Sequence, residues 1–89
     1  MRELVDAFIT YVCCYWHEDI AESISKEGES GVVFDIPESV VDLEEDLNKW
    51  YKEADAFCHG WGAAKGKGFR AHYSWGFGDN YVRMSFEEV

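Results

Sequence analysis

Pro37-Glu38-Ser39-Val40-Val41-Asp42-Leu43-Glu44-Glu45-Asp46-Leu47-Asn48-Lys49-Trp50-Tyr51-Lys52-Glu53-Ala54-Asp55-Ala56-Phe57-Cys58-His59-Gly60 is the stretch on which the fold turns. Val40, Leu43, Leu47, Trp50, Ala54, Phe57 and then Trp61 recur at intervals of 3, 4, 3, 4, 3 and 4. That is the apolar stripe of an amphipathic helix laid on another element. Asp42, Glu44, Glu45, Asp46, Lys49, Lys52, Glu53 and Asp55 fill the intervals and make the other face wet and mostly acidic. Pro37 suits the first helical position, where its missing N–H costs nothing. Glu38 and Asp42 suit the positive end of the helix dipole, and Ser39 with Asp42 forms an alternative cap. Gly60 reads as the stop, in the left-handed conformation. The spacing therefore predicts a helix over about 37–59. Burying its large side chains falls short of the cost of ordering its backbone, so it needs a sheet or another helix to lie on.

Upstream of that helix, residues 7–16 (Ala-Phe-Ile-Thr-Tyr-Val-Cys-Cys-Tyr-Trp) are aromatic and β-branched, which predicts a buried strand. The alternative is a helix from Arg2 to Trp16, with Leu4, Phe8, Tyr11, Val12, Tyr15 and Trp16 on one face and Asp6 and Thr10 opposite. Either way the element breaks near His17, because Asp19, Glu22 and Lys26 would rotate onto the apolar face. His17 to Glu27 reads as a short helix through Ile20, Ala21 and Ile24, ended by Gly28. Val32 to Ile36 reads as a strand stopped by Pro37.

Downstream, Gly60 to Gly68 is a glycine-rich connection. Phe69, Ala71, Tyr73, Trp75 and Phe77 then alternate with Arg70, His72, Ser74 and Gly76, as in a half-buried strand. Gly78-Asp79-Asn80 is a turn signal, and Tyr81 to Glu87 alternates again, so a C-terminal hairpin is expected. The fold class is α+β: one domain over 1–89, with a small, mainly antiparallel sheet and the long helix across it. The expected core is Phe8, Val12, Val33, Val40, Leu43, Leu47, Trp50, Phe57, Phe69, Tyr73, Val82, Met84 and Phe86.

Eighteen acids against eight cations give a net charge of −10. Phosphates need Lys and Arg, so direct nucleic-acid binding is not expected. Fast capture of a basic partner is. No apolar run approaches the ~20 residues of a membrane span. The opening Arg2-Glu3-Leu4-Val5-Asp6 has acids where a signal peptide wants bases and apolar residues. Three cysteines, two of them adjacent, make a poor disulfide framework. An intracellular, reduced, cytoplasmic setting is the expectation.

Motifs for chemistry are weak. The glycines around Lys65 and Lys67 fail the phosphate-loop pattern: position 61 is Trp, position 68 is Gly, and a helix precedes rather than follows. Cys13, Cys14, His17, Cys58 and His59 are zinc-type ligands without C-x-x-C spacing; the cysteines are read as small buried apolar residues and the histidines as surface or satisfied core residues. A thiol nucleophile would need a base held against it. Lys65, Lys67 and Arg70 beside Phe69, His72, Tyr73 and Trp75 resemble a single-strand binding patch, but three cations are few. Pairing with the acidic helix is the simpler expectation.

Carboxylates remain: Glu18, Asp19 and Glu22, then Glu27 and Glu29, then Asp42, Glu44, Glu45 and Asp46. Such a surface can imitate phosphate spacing and occupy a basic groove built for nucleic acid. In length, charge, lack of a catalytic motif and the run Asp42-Leu43-Glu44-Glu45-Asp46, the chain resembles the small acidic inhibitors that phages and mobile elements use against host defence, of the anti-CRISPR and anti-restriction type. Small immunity proteins share that character. The resemblance implies a non-enzymatic inhibitor that needs no cofactor or metal and binds a nucleic-acid-handling protein. Asp42, Glu44, Glu45 and Asp46 would supply electrostatics, with Tyr51 and Trp61 as aromatic anchors. The other classes are a small metal- or thiol-dependent enzyme and an oligomerising module.

Overall fold

Phe8 of the first helix meets Phe57 of the third and Phe86 of the last strand, with ring centroids 5.6 and 5.2 Å apart, so both ends of the chain share one core. The computed structural model describes residues 1–76 and 78–89. Helix α1 spans Arg2–Tyr15 and α2 spans Glu18–Ser23; strand β1 (Ser25–Glu27) and strand β2 (Gly31–Asp35) follow. Helix α3 then runs Leu43–Ala63, before β3 (Phe69–Ser74) and β4 (Tyr81–Glu88). The four strands form one antiparallel sheet in the order β1-β2-β4-β3. α3 packs chiefly on β3, and α1 packs against α2, α3 and β2. The expected α+β class, long packed helix and C-terminal strand pair are all present.

Register divides the sheet into two faces. Val32 pairs with Met84, Phe34 with Val82, and Ala71 with Phe86, and all six are buried under the helices. Val33, Arg83, Ser85, Glu87, Arg70 and His72 stand on the other face, which no helix among the described residues covers. Val33 is therefore only half-buried, and Tyr73, at the sheet margin, is 44 % exposed; neither is the core residue expected. Leu4, Val5, Ile20, Val32, Phe34, Ala54, Cys58 and Ala71 fill the core instead, beside the expected Phe8, Val12, Leu47, Trp50, Phe69, Val82, Met84 and Phe86. Val40, Leu43 and Phe57 pack against it half-buried.

The strand expected over 7–16 is a helix. Leu4, Phe8 and Val12 recur every fourth residue and are fully buried, while Asp6, Thr10, Cys13 and Cys14 face water. A strand apolar on both faces needs a sheet covered on both sides. This sheet is covered on one, so the segment gains more as an amphipathic helix over it. The break expected near His17 is real: Trp16 is extended (φ −95°, ψ 171°), and His17 caps α2 by accepting the Asp19 N–H on Nδ1 at 3.1 Å.

α2 ends at Ser23, short of the helix expected to Glu27. Ile24 turns extended, and Ser25–Glu27 pairs with β2 as an exposed edge strand. Gly28, at φ +67°, reverses the chain where other residues are strained.

α3 begins six residues later and ends four residues later than the expected helix. Pro37 does not open it; the Val40 N–H donates to the Pro37 carbonyl in a separate turn. Asp42 is the cap, its carboxylate accepting the Glu45 N–H at 3.2 Å. Adjacent β-branched Val40 and Val41 favour extension over helix, and Val41 points fully outward at 99 % exposure. Gly60 lies inside the helix. The chain turns at Gly66 (φ +72°), where the Lys67 N–H reaches the Gly62 carbonyl at 2.8 Å and the Gly66 N–H reaches that of Ala63 at 3.2 Å, a Schellman closure.

β3 is an edge strand, and α3 shields it in part. The Asp55 carboxylate accepts the Ala71 N–H at 3.0 Å, occupying an edge donor that another strand could use. Trp75 has already left the strand, its indole N–H donating to the Asp79 carbonyl. Phe77, expected to continue the alternation, lies outside the described residues.

Candidate functional site

Charge along the chain is far from even. Residues 17–48 carry eleven acids and one cation, so that third holds a net −10 by itself. Residues 49–89 carry six cations against five acids. The topology then gathers five of those acids along two neighbouring clefts. α2 packs beside β2, and the Ser23 hydroxyl accepts the Asp35 N–H at 2.9 Å, tying the helix to the strand end. Asp19, Glu22, Asp35 and Glu38 line one open cleft of about 510 Å³ there. A neighbouring cleft of about 220 Å³ shares Pro37 as a wall and adds Asp46 and Glu53 from α3.

The second cleft has aromatic walls. Trp16 and Trp50 lie nearly parallel, centroids 6.4 Å apart at 25°, and Tyr15 stands at the rim, 75 % exposed. Trp16 meets Phe8 and Phe34 edge-on, which fixes its ring. Its indole N–H is buried and has no acceptor among the described residues.

The six residues singled out from the sequence do not form one site. Asp42, Glu44 and Glu45 are exposed at the start of α3, and Asp46 is half-buried in the aromatic cleft. There they also offset the positive end of the helix dipole. Tyr51 lies on another face, packed at a tilt against Tyr73 with centroids 5.4 Å apart. Trp61 sits about 25 Å further along the helix axis than Glu44, against Phe69, with the Lys65 ammonium 4.8 Å over its ring. The acids are also not a continuous stripe, since Lys49 and Lys52 are both exposed on the same helix. Glu22 belongs to the acidic set expected from the sequence, whereas Tyr15, Trp16 and Asp35 enter the site unforeseen. The charge bias of residues 17–48 was available in the sequence as a signal for Asp35.

Arg70, Arg83 and Lys26 are engaged elsewhere. On the uncovered sheet face Arg70 Nε donates to Glu87 at 2.6 Å and His72 Nε2 approaches the same oxygen at 2.9 Å. These bonds, His72 first and Arg70 next, hold the Glu87 carboxyl below the usual carboxylate range. Arg83 pairs with Glu27 at 2.7 Å, which raises its pKa further, and its guanidinium lies 4.9 Å over Tyr81. Lys26 pairs with Asp6. Arg70 thus neutralises a carboxylate of β4, not of the acidic helix as expected.

Thiol chemistry finds little footing. Cys13 and Cys14 are exposed on α1. Cys58 is buried, its Sγ–H donating to the Asp55 carbonyl at 3.2 Å. Burial, and then the nearby Asp55 charge, push its thiol up to about 11, so the nucleophilic thiolate is scarce at neutral pH. Among the described residues no three His, Cys, Asp or Glu side chains come together as metal ligands. No helix there is long and apolar enough to cross a membrane.

What the fold and site define is an α+β chain with a one-sided antiparallel sheet and a strongly acidic end. Set against protein-family models, curated proteins and solved structures, it matches none of them significantly.

Proposed function

We propose that this protein is a small acidic interaction protein whose negative end docks on the basic surface of a nucleic-acid-handling protein and blocks it without chemistry. The observation that supports this reading is the concentration of the net charge in residues 17–48, five of whose acids (Asp19, Glu22, Asp35, Glu38 and Asp46) line two clefts that share Pro37. A surface of this kind steers a cationic partner and repels nucleic acid itself. The interacting carboxylates would be Glu18, Asp19, Glu22, Asp35 and Glu38 together with Asp42, Glu44, Glu45 and Asp46. The cytoplasm, where such enzymes work, would be its location. An anti-defence role of the phage-inhibitor type is the form of this function that the resemblance favours.

Affinity capture from the natural host, with the retained protein identified by mass, tests the reading. The expected partner is basic and leaves the column as salt rises, because screening shortens the Debye length from about 8 Å at 0.15 M to about 3 Å at 1 M. A variant with Glu18, Glu22, Glu44 and Glu45 all changed to Gln should lose it. Retention unaffected by salt and by those four changes would overturn the proposal.

A further inference from the structure

The aromatic cleft between the end of α1 and the first turns of α3 has a chemistry that the acidic end as a whole does not. Half-buried Trp16 presents part of its indole beside the edge of the largely buried Trp50, and Tyr15, tilted against Tyr11, stands exposed at the rim. Asp46 and Glu53 border it, and neither makes an ion pair among the described residues. At about 220 Å³ it is smaller than the ~300–1,000 Å³ of sites for drug-sized ligands, so it suits one side chain, not a nucleotide or cofactor. Aromatic faces attract cations through their quadrupole, and carboxylates on the same wall make the preference for positive charge specific.

We infer that this cleft is a receptor for a single arginine side chain presented by the partner, its guanidinium lying on the Trp16 and Tyr15 rings beside the edge of Trp50 and bonding to Asp46 and Glu53. Arginine fits better than lysine because its planar, weakly hydrated head stacks on rings and meets carboxylates in a fork. Lys49, which also lines the cleft, is the opposing group. It stands one turn from both Asp46 and Glu53, and its long stem lets the ammonium turn to solvent when another cation enters. The inference rests on the preceding reading only for the source of the arginine.

The test uses acetyl-Gly-Arg-Gly-amide and its citrulline counterpart, which keeps the shape and loses the charge. Binding is followed through the indole N–H signals of Trp16 and Trp50 in NMR spectra of the intact chain. Arginine peptide should shift both signals saturably, and the citrulline peptide should bind about tenfold more weakly, from the combined loss of cation–π and carboxylate contacts. Asp46→Asn and Glu53→Gln, isosteric surface changes, should each weaken the arginine peptide about two- to fivefold. Lys49→Ala should tighten it, an effect no purely structural role would give. Equal responses to the two peptides, no saturable shift, or indifference to all three substitutions overturns the inference. Such a failure leaves salt-sensitive capture of a partner standing; loss of capture with peptide binding intact would instead remove the docking proposal alone.

Discussion

Gly60 and Gly62 lie two residues apart in α3, and replacing each by alanine should move stability in opposite directions. Both changes gain helix propensity, about 0.8–1 kcal/mol for Ala over Gly in a helix interior. At Gly60 a Cβ meets nothing within 4 Å, so Gly60→Ala should keep that gain less some end-of-helix discount, about 0.5–1 kcal/mol. At Gly62 the same methyl would stand 2.6 Å from the Lys67 carbonyl oxygen and 2.6 Å from Phe69 Cδ2. Carbon atoms in good contact sit at about 3.5–4.0 Å, so something must retreat by about an ångström. Neither neighbour is free to do so. Lys67 is held by the bond from its N–H to the Gly62 carbonyl, and Phe69 is buried and packed against Trp61.

Overpacking of this kind costs about 1–3 kcal/mol, and two simultaneous clashes place it near the upper end. After the propensity gain, Gly62→Ala should destabilise by about 2 kcal/mol. The two variants would then differ by about 3 kcal/mol, with Gly60→Ala melting several degrees above the parent and Gly62→Ala lower by about 8–16 °C at about 4–8 °C per kcal/mol. Urea titrations and thermal melts by circular dichroism measure both. If Gly62→Ala proves as stable as Gly60→Ala, then the chain leading into β3 does not cross the end of α3 as closely as described, and the seating of the C-terminal hairpin on the helix is wrong.

Asp42→Ala should cost about 1 kcal/mol by removing the cap on the Glu45 N–H, whereas Pro37→Ala should leave α3 helicity unchanged; equal loss of helix signal from both would restore Pro37 as the start. Under native conditions at pH 8 an aromatic disulfide reagent should titrate Cys13 and Cys14 readily, and Cys58 only after denaturant is added; three equally fast thiols would contradict the burial of Cys58. Because His72 and Arg70 lower the Glu87 pKa in the folded state, the unfolded chain takes up that proton first as pH falls. The stabilisation is therefore present above the ordinary carboxylate pKa of about 4.5 and is lost as pH drops through the lower folded value. Glu87→Gln should flatten the acid limb of the stability curve measured from pH 7 to pH 2; parallel curves would show that the bonds to His72 and Arg70 carry no net stability.

Where local pattern and tertiary burial agree, the fold is legible from residue spacing alone. Leu43, Leu47, Trp50, Ala54 and Phe57 announce α3, and the alternation of Val82, Met84 and Phe86 announces β4, because each has one buried face. Residues 7–16 mislead because composition records what could be buried on either face, while the choice was made elsewhere, by a sheet that keeps Arg70, His72, Arg83 and Glu87 on an uncovered side. Asp35 held a clue to that side: outward Asp35 puts Val33 outward and Val32 and Phe34 inward. β1, with Ser25, Lys26 and Glu27 all exposed, carries no compositional mark and exists through its pairing with β2.

The candidate site divides in the same way. Its charge could be counted along the chain, but its shape could not, since Trp16 and Trp50 meet only after α1 is known to be a helix lying beside α3. A strand over 7–16 would have placed the neighbouring Tyr15 and Trp16 on opposite faces. The helix ends instead at Tyr15, and the extended Trp16 turns its ring back onto Phe8, Phe34 and Trp50. The change of element that corrects the fold is thus also what builds the aromatic wall. It follows that substitutions which unwind the last turn of α1 should abolish arginine-peptide binding while leaving the carboxylates of α2 and of the 36–42 segment, and with them the long-range attraction, in place.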